Sequence, residues 1–456
     1  MIKELFAKLV VVSALAVLLG GYPAPQPSEP APSEEPTVLE ESVKQEPEKG
    51  NWLNLTPEQR QEDFDYLYQT LKENYPYFHV VQRKTGKDME KLYQEYREKV
   101  KTCRTDPEFF EILDQFTREA ESIGHLSTIS PLEYPFFKEK LQWIEREFQE
   151  EYEKLLDYEE VNHELDHIQR ISEAFFNERT TFCYEKMIEY YDSLEEENSQ
   201  AGSVPQNRDE PPQDKPPKSS NVETKILEPG KIAYIKIKSF DMTGYEQDKK
   251  VLFDFYGQVK DYPHVIFDLS RNGGGGSSYF KDLIAAPNID KPLSTDVYMF
   301  MKAGDYNRKY MDFSEFRPIS EALSLPRMNP DDFAEFDMYM PQTCQVEPLS
   351  SEKMLKGKLW MLVSGRVFSA SEYAAIFSKA TGFAELVGTT TRGDGIGIDP
   401  NFIVLPNSGF LARYSPIYGA TSDGASNQEF GTEPDIISPE GETPLDTCLK
   451  EIAKLG

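Results

Sequence analysis

Hydrophobic positions recur at helical spacing through the first part of the chain and at strand spacing through the last. Phe64, Leu67, Leu71 and Tyr75 fall three or four residues apart, the spacing of one buried helix face. Thr56-Pro57-Glu58 supplies a hydroxyl cap and a first-turn proline for that helix. Phe109, Ile112, Leu113 and Phe116 repeat the pattern after Thr105-Asp106-Pro107, so residues 51–122 read as helical. A second helical block, dense in glutamate and aromatics, spans 135 to about 197, and a Pro/Asn/Ser/Lys linker fills 200–221.

After Glu223 the period shortens. Ile232–Ile237 alternates like a strand, a helix is predicted over 245–259, and His264-Val265-Ile266-Phe267-Asp268-Leu269 is an apolar strand running into Asn272 and four glycines. Another helix begins near Ser277. Leu359–Val363 reads as a buried strand, Ala370–Ala380 as a helix and Glu385–Val387 as a short strand. Phe402–Leu405 and Phe410–Tyr414 form a hairpin around Pro406-Asn407-Ser408-Gly409. Strands alternating with helices predict an α/β core.

The 456 residues suffice for two or three domains. A formal charge of -30 repels nucleic acid and anionic headgroups. At the N-terminus Lys3 and Lys8 precede an apolar run, Leu9–Leu19, broken only by Ser13. That run is too short for a comfortable membrane span and has the layout of a signal peptide over 1–22. Leu18-Leu19-Gly20-Gly21 resembles the lead-in to a lipoprotein signal, but Tyr22 stands where cysteine would be needed, so release and membrane tethering both stay open. Residues 23–50 are a Pro/Glu-rich tether. The expected location is extracytoplasmic. The four cysteines show no C-x-x-C spacing.

Three segments could carry chemistry. Ser369, in Phe368-Ser369-Ala370-Ser371-Glu372, sits between a buried strand and a helix, where a hydroxyl is exposed beside unpaired helix N–H groups. A nucleophile with an oxyanion hole needs that geometry. Ser369 and Glu372 also spell an ordinary capping box. The glycines after Asp268 can aim backbone amides at a developing charge, at the strand end where α/β sheets bind ligands. Of the five histidines, His125 lies in a loop just after a helix. His163 and His167 share one helix face with no third metal ligand at matching spacing, His79 reads as a packing residue after Tyr-Pro-Tyr-Phe, and His264 precedes a strand.

Phe267-Asp268-Leu269-Ser270-Arg271-Asn272-Gly273-Gly274-Gly275 resembles the D-L-R-x-N-x-G-G signature of the C-terminal processing (tail-specific) protease superfamily, serine peptidase family forty-one. Val363–Glu372, ending in S-A-S-E, resembles its nucleophile segment. Gly388-Thr389-Thr390-Thr391-Arg392-Gly393 resembles the G-x-x-T-x-G loop, and Gly431-Thr432-Glu433-Pro434-Asp435-Ile436 the G-x-x-PDI ending. The helical stretch ending in Gly124-His125 is similar to the tricorn-like and retinoid-binding-protein-like branch. The resemblance implies an α/β, crotonase-like (ClpP-like) core with an N-terminal helical domain. The expected segments are an N-terminal helical domain over 51–122, a His-bearing segment with the second helical block and linker over 123–222, and the peptidase core over 223–456.

It also implies Ser369 as nucleophile, His125 as base, Glu429 as its support, and an oxyanion hole from the amides of Gly274, Gly275 and Ala370. Where the Ser–Lys branch carries its lysine, this chain has Gly393-Asp394-Gly395. An aspartate cannot act as a neutral amine base, and Lys379 lies two to three turns along the helix after Ser369. Ile123 stands where the branch often has aspartate before Gly-His. The implied activity is acyl-enzyme cleavage of exported proteins or peptides, with no metal or organic cofactor. Two competing readings are an inactive peptide- or lipid-binding protein on the same scaffold and a CoA-ester enzyme, the latter disfavoured by export.

Overall fold

The structure is a computed structural model and describes residues 50–139, 141–142, 171–201 and 220–455. The expected signal peptide, the expected tether up to residue 49, residues 140 and 143–170 of the second helical block with His163 and His167, and most of the linker lie outside the described residues.

The caps read from the sequence start the first helices. Thr56 and Gln59 form a reciprocal capping box at α1 (Pro57–Asn74). After α2 (Phe78–Thr85) come α3 (Met89–Thr102), capped by Asp88, and α4 (Asp106–Arg118), capped by Thr105. Their apolar stripes meet around Phe64, Tyr68, Tyr93 and Phe116, with Tyr68 and Tyr93 stacked at 3.9 Å between centroids. Fully burying each such side chain contributes about 2 kcal/mol, so this cluster holds the bundle together. A short 3-10 turn, Ile123–His125, leads into β1 (Ser127–Thr128), and α5 (Glu178–Ala201) belongs to the second helical block.

The remainder is built on strands. β2 (Val222–Glu228), β3 (Ile232–Ile237), β4 (His264–Asp268), β8 (Lys358–Val363), β9 (Glu385–Gly388) and β13 (Ile436–Ile437) form one sheet in the order β13-β9-β8-β4-β3-β2. All its pairs are parallel except β2 with β3. β4 is buried along its whole length, as expected of a parallel strand covered on both faces. Val265 and Phe267 face α6 (Tyr245–Val259) and α7 (Ala370–Thr381) in the main core, whereas Ile266, Trp360 and Leu362 face α8 (Pro444–Leu455). The helix expected near Ser277 is a π-helical stretch over Tyr279–Ala285.

A second, antiparallel sheet was not anticipated from the sequence. β5 (Leu293–Met301), β6 (Arg317–Pro318), β7 (Met338–Val346) and β12 (Ile417–Thr421) pair in the order β12-β5-β7-β6. It packs methionines 299, 301 and 340 and Ile417 on Ile376 of α7. A third sheet joins β1 to the expected hairpin, β10 (Asn401–Val404) and β11 (Leu411–Tyr414), with β11 in the middle. Asp63 of α1 accepts the amides of Asn407 (2.7 Å) and Ser408 (2.8 Å), so the helical bundle caps the hairpin turn directly. Helices and hairpin share one hydrophobic core.

Candidate active site

β4 and β8 are adjacent parallel strands, and both run out at the same edge of the sheet. Their following loops are tied where Ser364 Oγ donates to the Ser270 carbonyl at 2.6 Å. Buried Asn272 links the layers: its Nδ2 donates to the Ile237 carbonyl (3.2 Å), and its Oδ1 accepts from Gly274 N (2.9 Å) and Ser371 Oγ (2.6 Å). The glycine turn and the start of α7 are thereby clamped together. Gly274 has φ 111°, and a Cβ there would lie 2.9 Å from both Phe368 O and Ser369 Cβ. Only a residue without a side chain brings the turn that close to Ser369.

Ser369 stands at φ 57°, ψ -128°, immediately before α7, and its side chain caps nothing. The capping-box alternative therefore does not hold: Glu372 turns inward and Ser369 Oγ makes no hydrogen bond among the described residues. The Ser369 amide donates to the Gly393 carbonyl (3.3 Å) and its carbonyl accepts from Tyr373 (3.0 Å). Of the amides expected to form an oxyanion hole, that of Gly274 is taken by Asn272. Those of Gly275 and Ala370 have no partner among the described residues.

His125 is brought to this loop from 244 positions earlier in the chain, counted from 125 to 369. Its ring packs on Phe368, centroids 4.6 Å apart. Tyr75 Oη donates to the Ile123 carbonyl (2.7 Å), Gly124 N donates to Gln428 Oε1 (3.0 Å), and Ser415 N donates to the Gly124 carbonyl (2.6 Å). A Cβ on Gly124 would strike the Tyr77 and Tyr75 rings at 2.5–2.9 Å, which explains the glycine before the histidine. His125 Nδ1 lies 2.5 Å from Asp394 Oδ2 and 3.0 Å from Ser415 Oγ. Nε2 is the nitrogen left to meet a substrate or the Ser369 hydroxyl. No hydrogen bond joins His125 to Ser369 in this structure.

Sequence reasoning placed Glu429 beside His125, and the structure puts it elsewhere. Its carboxylate is gripped by Arg83 of α2 (2.9 and 2.7 Å), which also holds buried Asp332. The carboxylate at His125 is that of Asp394, in the loop where a lysine was sought. The neighbouring Gln428, not Glu429, reaches the histidine loop.

Asp394 is held by a packed frame. Gly393 and Gly395 would each clash with backbone if they carried a Cβ, at Asn427 O (2.4 Å) and Tyr373 N (2.4 Å). Glu372 Oε1 accepts from Asn427 Nδ2 (2.8 Å) and Thr432 Oγ1 (2.6 Å), while Oε2 is buried without a hydrogen-bond partner among the described residues. Burial pushes this carboxyl above the usual glutamate range, against the lowering effect of its hydroxyl and amide donors. Six described non-glycine residues have positive φ, and His125 (54°), Ser369 (57°) and Asp394 (64°) are three of them. Such backbone costs about 1–3 kcal/mol each and concentrates at functional sites. Lys379 is 2.5 Å from Asp435 and takes no part. Among the described residues no group of acidic, histidine or cysteine side chains could hold a metal.

The model of peptidase family S41 matches residues 231–438, and that of the tricorn protease C1 domain matches residues 56–117. Among solved structures, one from Parabacteroides merdae described as a candidate peptidase is 18% identical, covers 87% of this chain and 98% of its own, and aligns with a TM-score of 0.50. That likeness is one of fold. Mature CPAF bound to lactacystin is 12% identical over 88% of this chain and 97% of its own, at a TM-score of 0.48. No curated protein sequence matches the chain.

Proposed function

We propose that this chain, a serine peptidase whose residues 231–438 match the model of peptidase family S41, cleaves exported proteins or peptides with Ser369 as nucleophile and His125 as base. The observation that carries this is the 2.5 Å contact of His125 Nδ1 with Asp394, on a ring packed against the residue preceding Ser369. Asp394, not Glu429, is the orienting carboxylate in this reading. It accepts the Nδ1 proton and so leaves Nε2 with the lone pair a base requires.

Ser369 Oγ attacks the scissile carbonyl carbon as its proton passes to His125 Nε2. The amides of Gly275 and Ala370 receive the oxyanion, and donors preset at that point account for several kcal/mol of barrier lowering in acyl transfer. The tetrahedral species collapses as His125 returns the proton to the leaving amine. Water then attacks the acyl-enzyme, losing its proton to the same nitrogen, and the Ser369 hydroxyl is restored. Apo hydrogen bonds between nucleophile and base are often long and tighten on substrate, which accommodates the open Ser369 hydroxyl. Export rests on the charged and apolar pattern of the first 22 residues.

The test is labelling with a fluorophosphonate probe. Wild type is expected to label, and Ser369→Ala and His125→Ala are expected not to. Labelling lost in Ser369→Ala alone would remove His125 as base. No labelling of wild type would favour the second reading, a peptide- or lipid-binding scaffold, which the missing Ser369–His125 hydrogen bond motivates.

A further inference from the structure

Arg413 lies in β11, two residues before Ser415, whose hydroxyl touches the His125 imidazole. The antiparallel register of β1 and β11 sets Ser127 opposite Arg413. Ser415 lies just past the end of β11, where its amide donates to the Gly124 carbonyl (2.6 Å) and its hydroxyl touches His125 Nδ1. Residues two apart along a strand project from the same face, about 7 Å from each other. Ser127 bridges the two positions: its Oγ donates to the His125 carbonyl (3.4 Å) and accepts from Arg413 Nε (3.0 Å).

That single bond is the only hydrogen bond the Arg413 side chain makes among the described residues. Among the described residues no carboxylate lies within ion-pair distance of it, in a chain of net charge -30. The guanidinium sits 5.5 Å from the centre of the Phe137 ring. Glu133, whose charge reaches it, is turned toward the Ser130 amide (3.1 Å). Arg413 is partly open to solvent, and its crowded surroundings lower its pKa through desolvation. A desolvated guanidinium carries a cost that a carboxylate on its two free Nη groups would offset, and the fork geometry suits a bidentate partner.

We propose that Arg413 is the substrate-binding residue that recognises a carboxylate near the scissile bond, so that this peptidase selects peptides bearing an acidic side chain or a free C-terminus at that place. The inference rests on the reading of Ser369 and His125 as the reacting pair.

The full chain carrying Ser369→Ala, able to bind but not to acylate, is used to select from a random peptide library of which half is amidated at the C-terminus. Retained peptides are expected to be enriched in a carboxylate at one fixed position. Adding Arg413→Met is expected to abolish the enrichment, and Arg413→Lys to keep part of it. Enrichment that vanishes on amidation identifies the terminal carboxylate, and enrichment that persists identifies Asp or Glu. On the active chain, the kcat/KM ratio of a Glu peptide to its Gln counterpart is expected to fall about tenfold with Arg413→Met, mainly through KM. No acidic preference in the parent, or an unchanged preference after Arg413→Met, overturns the proposal. Parent selection is read without any Arg413 variant, so it stands even if Arg413→Met fails to fold. Because it uses a chain without a nucleophile, intact acidic selection alongside failed fluorophosphonate labelling would sink the acyl-transfer reading, and with it the scissile bond, while Arg413 would stand as a carboxylate-binding residue.

Discussion

Replacing Asp394 by asparagine tests the part of the site that sequence motifs did not foresee. The substitution preserves shape but removes the charge 2.5 Å from His125 Nδ1. In the proposed mechanism His125 takes the Ser369 proton, and the new imidazolium would face that carboxylate. At 2.5 Å and an effective dielectric of about 20, their attraction is on the order of 6 kcal/mol, part of which the asparagine carbonyl would replace. Asparagine can also donate to Nδ1, and so favour the tautomer that carries its hydrogen on Nε2 and cannot act as a base. A loss of this kind in a Ser-His-Asp site is about four orders of magnitude in kcat, equivalent to about 5 kcal/mol of barrier. The expected outcome is a fall in kcat of about a thousandfold to ten-thousandfold on an unfolded protein substrate, with KM little changed and the thermal unfolding transition retained. The rate of fluorophosphonate labelling should fall in parallel, since the probe reports Ser369 activation without peptide binding. A kcat loss below tenfold in a folded Asp394→Asn protein would refute the argument and return the orienting role to another group.

Gly274→Ala should cost about a hundredfold in kcat through displacement of Ser369. Its Cβ would stand 2.9 Å from Phe368 O and Ser369 Cβ at φ 111°, and kinetics paired with a melting curve would show activity falling much further than stability. Glu372→Gln gives a pH signature. The folded-state carboxyl is raised above the ordinary value of 4.5, so its contribution to stability is fully present below that pH and is lost as pH rises toward the folded value. The variant does not titrate, so wild-type stability relative to it should be highest below the ordinary glutamate value and decline as pH rises above it. A difference that stays flat with pH in urea unfolding would contradict the upward shift caused by burial.

Much of the frame was legible because it is local. Thr56 and Thr105 announce their helices through the residues three positions on, and the apolar run of β4 followed by glycines has few other uses than a buried strand and a close turn. The Asn272 of the glycine signature and the Ser371 of S-A-S-E prove to be partners of each other, so two motifs that read as separate are one clamp. The sheet of β5, β7 and β12 was missed because its strands mix methionine, tyrosine, proline and polar residues with no clear alternation, and its burial comes from packing on α7.

By itself, the sequence determined the strand–loop–helix that presents Ser369 and the glycine turn beside it, since turn chemistry and hydrophobic period act over a few residues. Which carboxylate serves His125 was decided by tertiary structure alone. Asp394 and Glu429 are both acidic, both adjoin a family motif, and both lie hundreds of residues from the histidine. Gly393 and Gly395, wedged against Asn427 and Tyr373, put Asp394 at Nδ1, while Arg83 on a helix of the N-terminal bundle draws Glu429 away. A contact of that kind depends on how separate elements pack, and no spacing along the chain encodes it.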